Sequence, residues 1–228
     1  MRKLIVLTAT VFGLAPHSAH AQNCLGFATF AAGVVGLGAK AYGAPGVSGA
    51  VANVNLGRPA SAFGGASIGL QNVNISSNPN SDFLVSSMGL GVNAGYELLL
   101  GRTQHLSVCP LASIGHRFGP NYASGAASVR ESGNDYAAEV AFGGAVKLGR
   151  KVDLVPSILI GFAGWTYTAA VVGGASNSGT NSALEATFSV GVVIADRFSI
   201  RPFVSVSSQE NSDPAIGVSF RAQLGQKQ

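Results

Sequence analysis

The side chains of this chain that could do chemistry are few and widely spaced. A histidine beside an aspartate can act as general acid and base in hydrolysis, and His116 has Asp82, Asp135 and Asp213 in polar segments elsewhere in the sequence. No serine lies two residues after His116 either, so the sequence shows no Ser–His site of that spacing. We therefore predict no enzymatic activity, no catalytic residue, no metal site and no cofactor, with His116 as a polar residue without a catalytic role.

The elements that must position these side chains are β-hairpins. One pattern of alternating apolar and small residues occurs three times, with Pro110, Pro156 and Pro202 at the same offset. Each copy follows a short polar turn, and another alternating run precedes that turn. Strand, tight turn and strand form a repeated hairpin unit.

Composition points to strands that cross a membrane. Only 11% of the residues are charged, 47% are apolar and 31 are glycine, whereas a soluble domain carries about 25% charge. No segment after the first residues is long enough for a transmembrane helix, which leaves a transmembrane β-barrel as the best fit. Removing Arg2 and Lys3 from the 14 basic residues leaves 12 against 10 acidic. They are not clustered, so we expect no nucleic-acid partner.

The first 21 residues have the features of a secretory signal peptide. Arg2 and Lys3 precede an apolar run from Leu4 to Leu14, and the segment ends with Ala19–Ala21. The run is too short to span a bilayer as a helix. We expect cleavage after Ala21 and a single barrel domain over 22–228, with an uncleaved anchor as the alternative.

The predicted strands carry their charges on one face only. The other face is apolar throughout, as a lipid-facing surface requires, because Lys or Arg near mid-bilayer costs about 2–4 kcal/mol. A β-sandwich gives the same alternation, but the charged face is mostly Gly, Ser and Ala, which favours a narrow lumen. The predicted lumen charges are Glu97, Arg117, Glu139, Lys147, Asp153, Glu185, Arg201 and Arg221.

Lumen charges need partners, because an unpaired ion away from water is costly. Arg201 and Arg221, which are predicted to face each other, need either an acidic partner or a bound anion. Glu97 or Asp153 could be that acid. We favour internal ion pairs that stiffen the barrel; the alternative is a cationic constriction for an anionic solute. The predicted neighbours are Lys147 with Asp153, Arg117 with Glu139, and Arg201 with Arg221.

Ten antiparallel strands give the best count, with eight as the alternative if part of 25–60 is irregular. Short turns are predicted at the periplasmic end and longer polar loops outside, among them Gly119–Asp135 and Ala169–Ala183. The predicted strands are Phe27–Tyr42, Val47–Leu56, Ala62–Ile75, 83–99, 105–117, 136–149, 152–167, 184–195, 198–208 and 214–224.

The two cysteines, Cys24 and Cys109, both fall near the predicted periplasmic end. In an oxidising compartment such a pair should form a disulfide. Lipid attachment at Cys24 lacks the required sequence before it, and two cysteines without a nearby histidine make a poor metal site.

These patterns, with the final strand Ile216–Phe220, make the chain resemble the small bacterial outer-membrane β-barrel proteins, the OmpA/OmpX-like group in the broad sense. The chain departs from that group by continuing eight residues past the aromatic end, from Arg221 to Gln228. The resemblance implies a monomeric, integral outer-membrane protein that contacts outer-membrane lipid and is inserted by the barrel-assembly machinery.

We therefore predict a non-enzymatic outer-membrane β-barrel with a structural or surface-presentation role. One alternative is a narrow channel for small solutes, anionic ones among them, although Phe203, Trp165 and Tyr167 on the lumen face disfavour a wide pore. The other alternative is a barrel enzyme that modifies lipid or cleaves protein, as barrels with His–Asp or Ser–His sites do.

Overall fold

The structure, a computed structural model, describes residues 35–57, 60–76, 82–100, 106–124, 127–195, 197–209 and 212–224. The predicted signal peptide and Cys24 lie outside these residues. Two strands are interrupted by one residue and then continue, so each is counted once. The strands are β1 (Val35–Ala44), β2 (Val47–Gly57), β3 (Ala62–Ser76), β4 (Asp82–Tyr96, continued by Leu98–Leu100), β5 (Leu106–Ser124), β6 (Ala127–Gly144, continued by Val146–Lys147), β7 (Val152–Val171), β8 (Ser176–Ile194), β9 (Phe198–Ser207) and β10 (Ala215–Leu224).

The described strands form a closed barrel. Each strand pairs antiparallel with its neighbours in sequence, and β1 pairs with β10 from Val35↔Leu224 to Gly43↔Ile216, which closes the sheet. Closure leaves no unpaired edge strand. The predicted ten-stranded, antiparallel, up-and-down transmembrane β-barrel is confirmed, and the eight-stranded alternative is wrong. Among the described residues, no helix is long and apolar enough to cross a membrane.

The outer face carries the apolar side chains. On β8, they run along even positions from Leu184 to Ile194. Ten residue-to-residue intervals separate Leu184 from Ile194. At about 3.3 Å each, on a strand tilted by about 40°, they give an apolar belt about 25 Å tall, the height expected for a membrane barrel. Further exposed apolar residues around the barrel include Leu56, Ile68, Leu70, Leu90, Val92, Leu106, Ile114, Phe142, Phe162, Phe198, Ile216 and Phe220.

Several strands extend further than their sequences predict. The predicted loops Gly119–Asp135 and Ala169–Ala183 are instead continuations of paired strands, with β5 reaching Ser124 and β6 starting at Ala127. The prediction failed because it depended on apolar alternation, and these segments are rich in Ala, Gly, Ser and Asn on both faces. Backbone hydrogen bonds pair these segments above the apolar belt. Neither of their faces contacts lipid there, so neither needs to be apolar.

The predicted first strand, Phe27–Tyr42, is described only from Val35 onward, and residues 27–34 lie outside the described residues. Its described part, β1 (Val35–Ala44), continues two residues past Tyr42 and joins β2 through Pro45 and Gly46. Proline followed by glycine suits a tight turn with a positive φ at its third position, and Gly46 has φ +73°. We call the end of the barrel near Val35 and Leu224 the lower end, and the end near Ser124 and Val171 the upper end.

Candidate functional site: the barrel lumen

The upper half of the lumen holds a cavity of about 820 Å³. It lies where the odd-numbered residues of β3, β4, β7 and the lower part of β5 point inward, because successive side chains of a strand alternate between faces. The lining combines one ion pair, aromatic rings and uncharged polar side chains. Its lumen-facing residues include Tyr42, Gln71, Ser87, Asn93, Arg117, Asp135, Trp165 and Glu185.

An ion pair stands on the wall of this cavity. Arg117 Nη2 lies 2.7 Å from Asp135 Oδ1. The predicted partner of Arg117, Glu139, is wrong: because the β5–β6 hairpin turns only after Ser124, Arg117 lies opposite Gly133, and Glu139 lies lower on the barrel, opposite Leu111. Asp135, predicted to be in a loop, lies within β6.

An acidic pair, of which Glu185 lines the cavity, lies on β6 and β8. Glu139 and Glu185 both face Gly161 of β7 in the sheet register, one from each side. A Cβ at Gly161 would lie 2.5 Å from Glu139 Cγ. Glycine at this position therefore leaves room for the Glu139 side chain to lie along the wall.

A basic group faces this acidic pair. Arg201 of β9 and Lys40 of β1 both lie opposite Ser219, whereas Arg221 lies one row lower, opposite Ser199. Arg201 and Arg221 are therefore diagonal neighbours, and their predicted direct pairing is wrong.

Lys40 interacts with both groups. The carboxylates of Glu139 and Glu185 attract its ammonium group, whereas Arg201 and Arg221 repel it. Its Nζ lies 4.6 Å from the ring centroid of Phe203 and 5.4 Å from that of Tyr42. The sequence did not predict Lys40 as a lumen residue, because the Gly- and Ala-rich run around it shows no clear face.

Toward the lower end, side chains fill the lumen. Phe63, Cys109 and Ala141 form a buried cluster with Leu111 and Leu159 packed against it. A second buried pair is Val155 with Val193.

The remaining predicted lumen charges lie at the same end. Glu97 is fully buried, and its Oε2 accepts a hydrogen bond from the Ala60 backbone N–H at 3.2 Å. Lys147 lies opposite Asp153 in the register. Because Cys24 is outside the described residues, the Cys24–Cys109 disulfide stays a prediction.

His116 lies on the outer face. A ring nitrogen, Nδ1, is 2.8 Å from Asn134 Oδ1, and the ring packs edge-on against Phe118 with centroids 4.5 Å apart. The Asn134 backbone N–H donates to Thr166 Oγ1 at 3.1 Å. Asp135 faces the lumen, so it and His116 lie on opposite sides of the wall and do not form an acid–base pair. Within the described ranges, no group of three or more His, Cys, Asp or Glu could hold a metal.

Comparison with known proteins gives relatives in fold only. No protein-family model and no curated protein matches the chain. The β domain of the Bordetella autotransporter BrkA superposes with a TM-score of 0.56 at 11% identity, covering 84% of this chain and 98% of that one. The translocator domain of NalP from Neisseria meningitidis gives 0.46 at 12%, covering 97% and 93%. The Yersinia pestis attachment invasion locus protein Ail gives 0.39 at 11%, covering 83% and 95%. The chain has the fold of the small bacterial outer-membrane β-barrels.

Proposed function

We propose that this chain is an integral, monomeric outer-membrane β-barrel without enzymatic activity, and that its role is to present a surface outside the cell. The apolar belt of the outer face supports the membrane location. Such a protein contacts outer-membrane lipid and depends on the barrel-assembly machinery for insertion, and it has no nucleic-acid partner.

The observation that carries the proposal is the unequal length of the strands. β5, β7 and β8 have 19, 20 and 19 residues, and the first segment of β6 has 18. A tilted strand crosses a bilayer in about 9–11 residues. At the upper end, β1, β2, β9 and β10 end near the belt, at Ala44, Val47, Ser207 and Ala215. The four long strands project beyond it at the upper end by about eight residues, or about 20 Å.

This projecting wall is uncharged over much of its outer face. On β8, the outward positions above Leu184 are Ser176, Ser178, Thr180 and Ser182. Serine and threonine offer hydroxyl groups to water or to a partner without attracting a particular charge. Outer-membrane barrels carry their long hairpin ends outside and their short ones in the periplasm, so we assign the upper end to the cell exterior.

The filled lower lumen supports a role other than transport. Among the described residues, the buried cluster around Phe63 and Cys109 narrows the lumen below the cavity, and the charges of Lys40, Glu139 and Glu185 lie above that cluster. The basic group of Lys40, Arg201 and Arg221 nevertheless favours a narrow anion channel as the second candidate. Steady conductance in planar bilayers, selective for chloride over potassium, would support that second candidate; a silent bilayer supports surface presentation.

Surface labelling tests the proposal. Ser178 lies on the projecting wall and Lys151 lies at the lower end, and both are exposed. We expect Ser178→Cys to react with a membrane-impermeant maleimide on intact Gram-negative cells, and Lys151→Cys to react only after the outer membrane is permeabilised. The unsubstituted chain gives the background from its own two cysteines. Labelling of Lys151→Cys alone on intact cells would overturn the orientation, and recovery of both variants in a soluble fraction would overturn the membrane location.

A further inference from the structure

We propose that the upper-lumen cavity is a binding site for a short, uncharged carbohydrate. This goes beyond surface presentation. It rests on the proposed function only for the side from which the ligand enters, and binding to the protein in detergent tests it separately.

The size and shape of the cavity suit a small ligand. Its volume of about 820 Å³ lies within the range of small-molecule sites, about 300–1,000 Å³. On one wall, four inward positions lack side chains, since Gly69 faces Gly89 and Gly91 faces Gly115 in the sheet register. These glycines expose a patch of backbone over three strands, which widens the lumen at this level.

An aromatic surface also lines the cavity. Trp165 lies between Asp135 on β6 and Asn181 on β8 in the register. An indole offers a large apolar face and one N–H donor, which match the C–H-rich face of a pyranose ring and one of its hydroxyl groups. Among the described residues, the structure contains no hydrogen bond to the Trp165 indole.

Donors and acceptors lie beside this ring. The Arg117 guanidinium has five N–H donors and the Asp135 carboxylate about four acceptor sites, and their mutual contact at 2.7 Å occupies one of each. The remaining sites are held in fixed positions by the ion pair. Sugar hydroxyls act as donor and acceptor at once, so they can complete both sets, together with the Gln71 amide and Ser87 hydroxyl in the lining.

The charge of the cavity favours a neutral ligand. Arg117 and Asp135 compensate each other, and the other charge in the lining, Glu185, interacts with Lys40 below it. The walls therefore present aromatic, amide and hydroxyl groups with little net field. A phosphorylated or polyanionic solute would have to displace Asp135 from Arg117.

Fluorescence offers a direct test, because Trp165 is the single tryptophan of the chain. The refolded full chain in detergent is titrated with maltose, cellobiose and lactose, with galacturonate and spermidine as charged probes. We expect a saturable change in emission with at least one neutral disaccharide and weaker responses to both charged probes. Asp135→Ala should weaken that binding about tenfold, as loss of a hydrogen bond to a charged group does. The matched control is Asn134→Ala, one residue away on the outer face, which should bind within about twofold of the parent.

Misfolding is separated from loss of binding by a second variant. A Cβ at Gly89 would have its nearest neighbour, the His116 carbonyl oxygen, 3.9 Å away, so Gly89→Leu fits the backbone and fills the cavity instead. It should abolish sugar binding while the heat-dependent gel shift of a closed barrel persists. Absence of a saturable signal with every neutral disaccharide, confirmed by calorimetry, would overturn the proposal. Equal weakening by Asp135→Ala and Asn134→Ala, or tighter binding of a charged probe, would overturn it as well.

Discussion

Two neighbouring residues of β4 should lose very different amounts of stability on the same substitution if the outer face contacts lipid. Val92 points outward and is 53% exposed in the isolated barrel, whereas Asn93 lines the upper-lumen cavity. We compare Val92→Arg with Asn93→Arg. The added side chain is identical and the positions are adjacent, so the size and charge of the introduced group are matched.

The expected magnitude follows from the depth of Val92. The outward positions of β4 from Met88 to Leu100 are apolar except for the Tyr96 hydroxyl, and their midpoint is Ala94. Val92 is two residues from that midpoint, or about 5 Å along the membrane normal for a strand tilted by about 40°. Arginine near the bilayer midplane costs about 2–4 kcal/mol. We expect about 2–3 kcal/mol for Val92→Arg, which lowers the folding equilibrium constant roughly 30- to 150-fold.

Asn93→Arg should cost about 0.5 kcal/mol or less, because the cavity leaves room for the longer side chain and the substitution breaks no packed contact. The assay is reversible urea unfolding of the chain in phospholipid vesicles, with Val92→Gln separating the charge from the change in shape. Equal effects of the two arginine variants would refute the assignment of inner and outer faces. A larger loss for Asn93→Arg would reverse the assignment, because it would place Asn93, and not Val92, in the surroundings that exclude a charge.

Three other outcomes follow from the lumen. Gly161→Ala should lower the free energy of unfolding by about 1–3 kcal/mol, because its Cβ would meet Glu139. The control Gly149→Ala, with nothing within 4 Å of the added Cβ, should change that free energy little. Equal effects of the two variants in urea titration would count against the close packing of Glu139 on β7. If Cys24 and Cys109 form a disulfide, the denatured chain should not react with maleimide until it is reduced. In Cys109→Ser, Cys24 should react without reductant. Labelling of the unreduced parent chain would disprove the disulfide. Planar bilayers containing the unsubstituted protein should show no steady conductance, and a current that changes anion selectivity in Lys40→Gln would favour the channel instead.

The barrel itself could be predicted from the sequence because the face of each strand that contacts lipid must be apolar. A strand in the belt must place apolar residues at every second position, as Leu184 to Ile194 do on β8, and the charges must then share the other parity. Hairpin repetition added the strand order. Ten strands followed from counting alternating runs, even though the first run gave the weakest signal.

The sequence did not predict the structure of the strand ends above the apolar belt or the contacts inside the lumen, because neither region contacts lipid. Above the belt, β5 to β8 alternate poorly, so their pairing was mistaken for loops and the ion pair Arg117–Asp135 was missed. Inside the lumen, the partners of a charge depend on which strands face each other across the barrel, information that parity alone does not contain. Lys40 interacts electrostatically with the acidic pair Glu139 and Glu185 because β1 pairs with β10 and so closes the barrel.

The most direct test of the closed membrane barrel is electrophoresis of the chain folded in detergent, with and without boiling, together with its solubility when detergent is removed. A stable closed barrel binds little dodecyl sulfate until it is heated. We therefore expect faster migration of the unboiled sample, migration at full mass after boiling, and precipitation without detergent. Identical migration in both lanes, with a chain that stays in solution without detergent, would contradict it.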